Sequence, residues 1–128
     1  MSDSSSKLIL IAVAGAVGTI ARYWLGSLVQ RSTGMSFPWG TFAVNMAGSF
    51  LFGAVWALAE ARFSNASILR AVLLTGFLGA FTTFSTFMFE TSELLRASRY
   101  FLAFGNVALH NLCGIAFLFL GFSTARLL

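Results

Sequence analysis

The chain has 128 residues, of which 58% are hydrophobic and only 9% are charged, and its mean hydropathy is +0.85. This leaves too little polar surface for a soluble globule of such length, so the composition indicates a membrane protein. The net charge is +4, but the eight basic residues are scattered and form no basic run, which argues against nucleic acid as a partner. Cys113 is the single cysteine, so no intrachain disulfide can form.

The first apolar segment covers residues 8–29 and follows a polar, serine-rich start, residues 1–7, which is expected to be disordered. About 20 residues match the hydrocarbon thickness of a bilayer, which predicts a first membrane span over 8–29. Arg22 lies several residues inside the end of this span, where a charge is costly. Its guanidinium either serves a water-filled vestibule or extends to the interface beside Tyr23 and Trp24.

A second span is predicted over residues 40–59, after a polar loop over 30–39 in which Pro38 suits an interfacial helix start. Thr41 and Asn45 lie one helical turn apart on the face of this span that also carries small residues. An unpaired amide is expensive inside a membrane, so Asn45 requires a partner. It either holds a neighbouring helix or coordinates a permeating species.

The third span, predicted over 68–95, contains the unusual stretch TGFLGAFTTFSTFMFE at residues 75–90. Gly76 and Gly79 weaken a helix there. A break at membrane depth would free backbone groups, which must then find a ligand or a protein partner. We therefore predict that the third helix is broken near its middle.

Two rows of side chains overlap in this stretch. An aromatic row repeats every three residues, at Phe81, Phe84 and Phe87. A row of hydroxyls that ends in carboxylates lies beside it, at Thr82 or Thr83, Thr86, Glu90 and Glu93. Taken singly, such phenylalanines usually face lipid and such threonines bond to their own helix. Together in one short stretch, they indicate a lined pathway.

A short basic turn at 96–99 precedes a fourth span, predicted over 100–124. Asn106, His110 and Gly114 follow at four-residue steps and share one helix face. A metal site at His110 would need further ligands at compatible spacing, so a hydrogen-bonding role is favoured. The sequence has no P-loop, no Gly-x-Ser-x-Gly and no zinc-binding spacing, and an enzyme is not predicted.

The basic residues divide almost evenly between the two sides of a four-span topology. One side carries Lys7, Arg62, Arg70 and Arg126, and the other carries Arg31, Arg96 and Arg99, with Arg22 as a fourth. Such a balance is typical of a chain that inserts both ways. Four helices alone barely enclose a pathway, so we predict an antiparallel dual-topology homodimer with its two-fold axis in the membrane plane. Carbonyls freed near Gly79 and Thr82 would then meet in pairs, which suits a hard cation.

Motifs in the second and third spans resemble those of the Fluc (CrcB) family of fluoride channels. They are Gly40-Thr41-x-x-Val44-Asn45, Gly76-Phe77-Leu78-Gly79, Thr82-Thr83-Phe84-Ser85-Thr86-Phe87 and the following Glu90. The resemblance covers essentially the whole chain. It implies an all-α membrane protein in a bacterial inner membrane, formed as an antiparallel dual-topology dimer of four-helix chains. It also implies two fluoride pathways and a structural sodium ion at the dimer centre.

The resemblance further implies roles for individual residues. Fluoride would pass the positive ring edges of two phenylalanines and a series of neutral donors. The residues expected on this pathway are Phe84, Phe87, Asn45, Thr86, Asn106 and His110. Those expected in the vestibules are Arg22, Glu90 and Thr41. Gly79 and Thr82 would give backbone carbonyls to sodium, and Gly114 stands where many family members have a serine.

Two other functions are compatible with a small four-helix membrane protein. A dual-topology, proton-coupled exporter of cationic drugs has a similar size, but it needs a membrane carboxylate, and the first two spans carry none before Glu60. A non-transporting subunit that only assembles with partners is the third class. It would leave the aromatic and hydroxyl rows of the third span unexplained.

Overall fold

The structure, a computed structural model, describes residues 3–34, 36–62 and 67–128. Its elements are α1 (Asp3–Thr33), α2 (Trp39–Arg62), α3 (Ser67–Arg70), a π-helical segment (Ala71–Leu78), α4 (Gly79–Phe81), α5 (Phe84–Arg96) and α6 (Tyr100–Arg126). Within the described residues, four helical stretches are long and apolar enough to cross a membrane, and α3 to α5 together make the third. The prediction of an all-α chain with four spans is confirmed.

The helices extend beyond the predicted spans. α1 is already helical at Asp3, so the expectation of a disordered start is wrong from that residue onward. α1 also continues to Thr33, through the first part of the predicted loop. A helix satisfies its own backbone hydrogen bonds and therefore does not have to end where the apolar residues end. α2 begins at Trp39, directly after Pro38 as predicted. Residues 63–66, between the second and third predicted spans, lie outside the described part.

α2 packs most extensively on α6, and two glycines make this approach possible. A Cβ atom on Gly53 would collide with the carbonyl oxygen of Leu118, and one on Gly121 would collide with that of Phe50. The backbones of α2 and α6 thus touch directly, as small residues allow in membrane helices. α1 packs on α2, the π-helical segment and α4, while α5 packs on α6.

The interior is a small apolar cluster, and most large apolar side chains lie outside it. Val44, Leu74, Leu78 and Phe81 are buried together where the second and third spans meet α1. Trp24, Phe101, Phe104 and Leu112 are among the many large apolar side chains that are exposed. An outer surface of this kind matches a lipid environment rather than water, and the chain is a multi-pass membrane protein.

In the third span, helical geometry stops at Phe81 and resumes at Phe84. Thr82 (ψ 157°) and Thr83 (φ −147°, ψ 114°) have extended backbone. Gly79 itself is helical (φ −61°, ψ −34°), so the extended residues follow the glycines rather than include them. The aromatic row proposed from three-residue spacing is therefore wrong for Phe81, because that spacing assumed a continuous helix.

Phe81 instead belongs to the interior. Its ring stacks on Phe77 at a centroid distance of 5.7 Å, and the side chain is buried in the apolar cluster. Phe84 and Phe87, both on α5, remain paired at 5.8 Å.

Candidate functional site

Asn45 of α2 holds the extended backbone of the third span. Its Oδ1 accepts a hydrogen bond from the Thr83 amide at 2.8 Å, and its Nδ2 donates to the Thr83 carbonyl at 3.1 Å. Because an amide only donates and a carbonyl only accepts, this pair fixes the orientation of the Asn45 side chain. One of the two Nδ2 hydrogens is not used by Thr83 and can serve another acceptor.

This arrangement releases two backbone carbonyls. In a continuous helix, the Thr83 amide would pair with the Gly79 carbonyl, and the Thr86 amide would pair with the Thr82 carbonyl. Here the Thr83 amide donates its hydrogen bond to Asn45 Oδ1 instead. The Thr86 amide donates to the Thr83 hydroxyl oxygen at 3.2 Å. Both carbonyls named for the cation therefore lose their usual partners, which fits the oxygen ligands of a hard cation.

The first cavity has a volume of about 330 Å³ and brings together four of the predicted pathway residues. Asn45, Phe84, Phe87 and His110 line it, together with Thr83 and other side chains of α2 and α6. The planes of Phe84 and Phe87 meet at 61°, and the ring of Phe87 lies 4.2 Å from that of His110. The described lining of this cavity contains no carboxylate and no Lys or Arg.

The second cavity, of about 440 Å³, holds the three predicted vestibule residues. Arg22, Thr41 and Glu90 line it, and Thr86 lies here rather than in the first cavity. The Thr41 hydroxyl donates to Glu90 Oε1 at 2.7 Å. Thr83 lines both cavities and thus forms part of the wall between them.

Asn106 lines neither cavity. It is fully buried, and its Nδ2 donates to the hydroxyl of Thr91 at 2.9 Å. That hydroxyl donates in turn to the Phe87 carbonyl at 2.8 Å, so Asn106 is tied to the backbone of α5. One turn further along α6, Nδ1 of His110 lies 3.1 Å from the Asn106 backbone carbonyl.

Sequence reasoning missed three residues that shape this region. Thr83 was named only as an alternative to Thr82, although a threonine three residues before Thr86 is a recognisable N-cap spacing. Thr91 gave no signal, because its partner is on another helix. Gln30 was assigned to a loop, yet it lies in α1, lines the second cavity and accepts a hydrogen bond from the Gly40 amide at 2.9 Å.

The amino-acid sequence is similar to those of known proteins. A family model described as CrcB-like protein, Camphor Resistance (CrcB), matches residues 9–122. The protein named "Fluoride-specific ion channel FluC" in Nitrosococcus oceani is 52% identical over 122 residues, which cover 95% of this chain and 98% of that protein. The protein of the same name in Solidesulfovibrio magneticus is also 52% identical with the same coverage, and that in Desulforapulum autotrophicum is 42% identical over 122 residues, again covering 95% and 98%.

Proposed function

The chain belongs to the CrcB-like family, and from this membership we propose that it is a fluoride-selective ion channel that lets fluoride leave the cell passively. The names of the relatives support this proposal, because the sequences of these relatives match almost the whole chain at up to 52% identity. The observation that carries it is the first cavity, where aromatic rings and neutral polar groups converge without a charged Lys, Arg, Asp or Glu side chain among the described lining residues.

The two phenylalanines of α5 suit a small anion. A phenyl ring has a positive edge, which attracts fluoride without the fixed charge that would trap it. The tilt of 61° between Phe84 and Phe87 lets both rings turn an edge toward a common point. Asn45 adds its unused Nδ2 hydrogen, which replaces one water of the hydrated anion.

The second cavity serves as the entrance in this proposal. Arg22 raises the local concentration of anions there, because a half-buried guanidinium in a cavity creates a positive potential that water screens only in part. Thr41 donates to Glu90, which orients that carboxylate. Thr83 forms part of the wall shared with the first cavity, and its hydroxyl lies 2.9 Å from that of Thr86 in the second cavity.

We also propose that two chains form an antiparallel homodimer in a bacterial inner membrane around a structural sodium ion. Gly79 is exposed and Thr82 is partly exposed, which leaves this part of the third span open to contact with a second copy. Sodium, when bound, would supply a fixed positive charge for these oxygens. The near-equal division of basic residues between the two sides supports insertion in both orientations.

The proposal is tested with purified protein in liposomes loaded with fluoride. We expect rapid fluoride release, recorded by a fluoride electrode, without an imposed proton gradient. Proton-coupled uptake of a cationic drug without fluoride release would instead support an exporter. Vesicles that neither release fluoride nor take up the drug would support a subunit without transport activity.

A substitution separates the pathway from general effects on folding. Phe84→Ile removes a ring that is 73% exposed in the isolated chain, so the fold should persist while fluoride flux falls severely. Phe104→Ile is the matched control, since that ring is 69% exposed and lines neither cavity. Phe87→Ile should lower flux in the same way, and unchanged flux in both Phe84 and Phe87 variants would contradict the pathway.

A further inference from the structure

The hydrogen bonds around α6 determine which polar atoms of Asn106 and His110 remain free. The only hydroxyl proton of Thr91 is donated to the Phe87 carbonyl, so Thr91 Oγ1 can only accept from Asn106. The Asn106 group that faces Thr91 is therefore its NH₂, and its Oδ1 is left over. This oxygen is an acceptor, and it is buried without a partner among the described residues.

The same reasoning fixes the tautomer of His110. Its Nδ1 faces the backbone carbonyl of Asn106 at 3.1 Å, and a carbonyl cannot donate. Nδ1 must therefore carry the hydrogen, which leaves Nε2 of the neutral ring as an acceptor. Nε2 is also buried without a partner in the described part of the chain, and His110 as a whole is only 9% exposed.

Both unpaired atoms on α6 are thus acceptors, which repel an anion rather than solvate it. A neutral His110 has nothing to donate to fluoride in the first cavity. A proton on Nε2 reverses this, because the imidazolium donates at both nitrogens and carries a positive charge. We propose that fluoride occupies the first cavity together with a proton on His110 Nε2, so that fluoride binding and His110 protonation promote one another.

This inference rests on the proposed fluoride pathway and adds a proton to it. The proton comes from water and returns to water, and no covalent bond to carbon forms or breaks. The imidazolium and the fluoride together are neutral, which lowers the cost of placing an anion beside the ring of Phe87, whose centroid lies 4.2 Å from that of His110.

Other charged groups do not provide this charge. The helices packed against α6 are α2 and α5, and their described charged side chains are Glu60, Arg62, Glu90, Glu93 and Arg96. Glu60 and Arg62 are exposed at the far end of α2, and Glu93 and Arg96 pair with each other on the surface at 2.9 Å. Glu90 bonds to Thr41 and lines the second cavity.

The sequence contains one histidine, so nuclear magnetic resonance of histidine-labelled protein reports on this ring alone. We expect the neutral ring to carry its hydrogen on Nδ1, and we expect fluoride to raise the pH at which the ring titrates. A hydrogen on Nε2 of the neutral ring, or a titration that fluoride does not move, would overturn the proposal. Both measurements use the unaltered chain and need no variant to fold.

Flux gives a second readout, with equal pH on both sides of the vesicle. Fluoride release should fall as pH rises from about 6 to 8.5, by up to about tenfold per pH unit once the neutral ring predominates. His110→Gln keeps an amide donor that does not titrate, so its profile should be flat, whereas the exposed control Glu93→Gln should keep the slope.

Release through protein-free vesicles is subtracted at each pH, since undissociated hydrogen fluoride crosses lipid. An equal slope in His110→Gln and the unaltered chain would refute the role of His110. Release that is rapid but independent of pH would sink this inference and leave the channel intact. No release at any pH would contradict both the proposed channel and the role of the His110 proton. The tautomer of His110 could still be measured in that case.

Discussion

Removal of the Asn45 side chain tests how the extended residues of the third span are maintained. In Asn45→Ala, the Thr83 amide and carbonyl lose partners at 2.8 and 3.1 Å. Thr83 is buried, and each unsatisfied buried group costs about 1 to 3 kcal/mol. We therefore expect the variant to lose roughly 2 to 6 kcal/mol of stability, less whatever the backbone recovers by rearrangement.

One rearrangement is available, and it has its own consequence. The Thr83 amide can turn back to the Gly79 carbonyl, which would extend the helix and restore one hydrogen bond. That bond would also occupy the Gly79 carbonyl oxygen, one of the two proposed for sodium. Fluoride flux should fall severely in Asn45→Ala in either case, since the free Nδ2 hydrogen is lost as well.

The assay is denaturant titration of the solubilised protein, followed by fluoride release from liposomes. Asn111→Ala serves as the stability control. Its side chain is exposed and, among the residues that the structure describes, bonds only to the Val107 carbonyl of its own helix at 2.7 Å, so its removal should cost no more than about 1 kcal/mol. Equal stability of the two variants would refute the reasoning about Thr83.

Two further predictions concern glycines of α6. Gly121→Ala should destabilise the chain by about 1 to 3 kcal/mol in the same titration, because its Cβ would collide with the Phe50 carbonyl, whereas Gly105→Ala has open space and should be neutral or slightly stabilising. Gly114→Ser, which introduces the residue common in the family, should fold normally and retain fluoride flux. Its Cβ would meet Met46 Cε at 3.7 Å and Ser49 Oγ at 4.0 Å, both ordinary contacts, and reduced flux would show that the added hydroxyl obstructs the pathway.

The four spans could be predicted because bilayer thickness imposes a length and a composition on each of them. The proximity of Thr41 to Glu90 could not be predicted, because these residues are 49 positions apart in the sequence and no local pattern connects them. Periodicity correctly placed Phe84 and Phe87 on one helix. It failed for Phe81, since two extended residues intervene and a helical period holds only where the backbone is helical.

The glycines of the third span show a second limit of sequence reasoning. Gly76 was expected to weaken the helix, but it lies in the π-helical segment and packs against α1, where an added Cβ would meet the Ile11 carbonyl at 3.0 Å. A glycine selected for close contact and one selected for backbone freedom look alike in a sequence. Only the neighbouring helix distinguishes them.

The π-helical segment at Ala71–Leu78 sets the direction in which the rest of the third span points. A wider turn accommodates an additional residue, and each residue of an ordinary helix advances the side-chain direction by about 100°. The azimuth of Phe84 and Phe87 around the helix axis is therefore governed by a stretch that lines neither cavity. Gain or loss of one residue there would leave the membrane span intact and yet rotate both rings to a different side of the bundle.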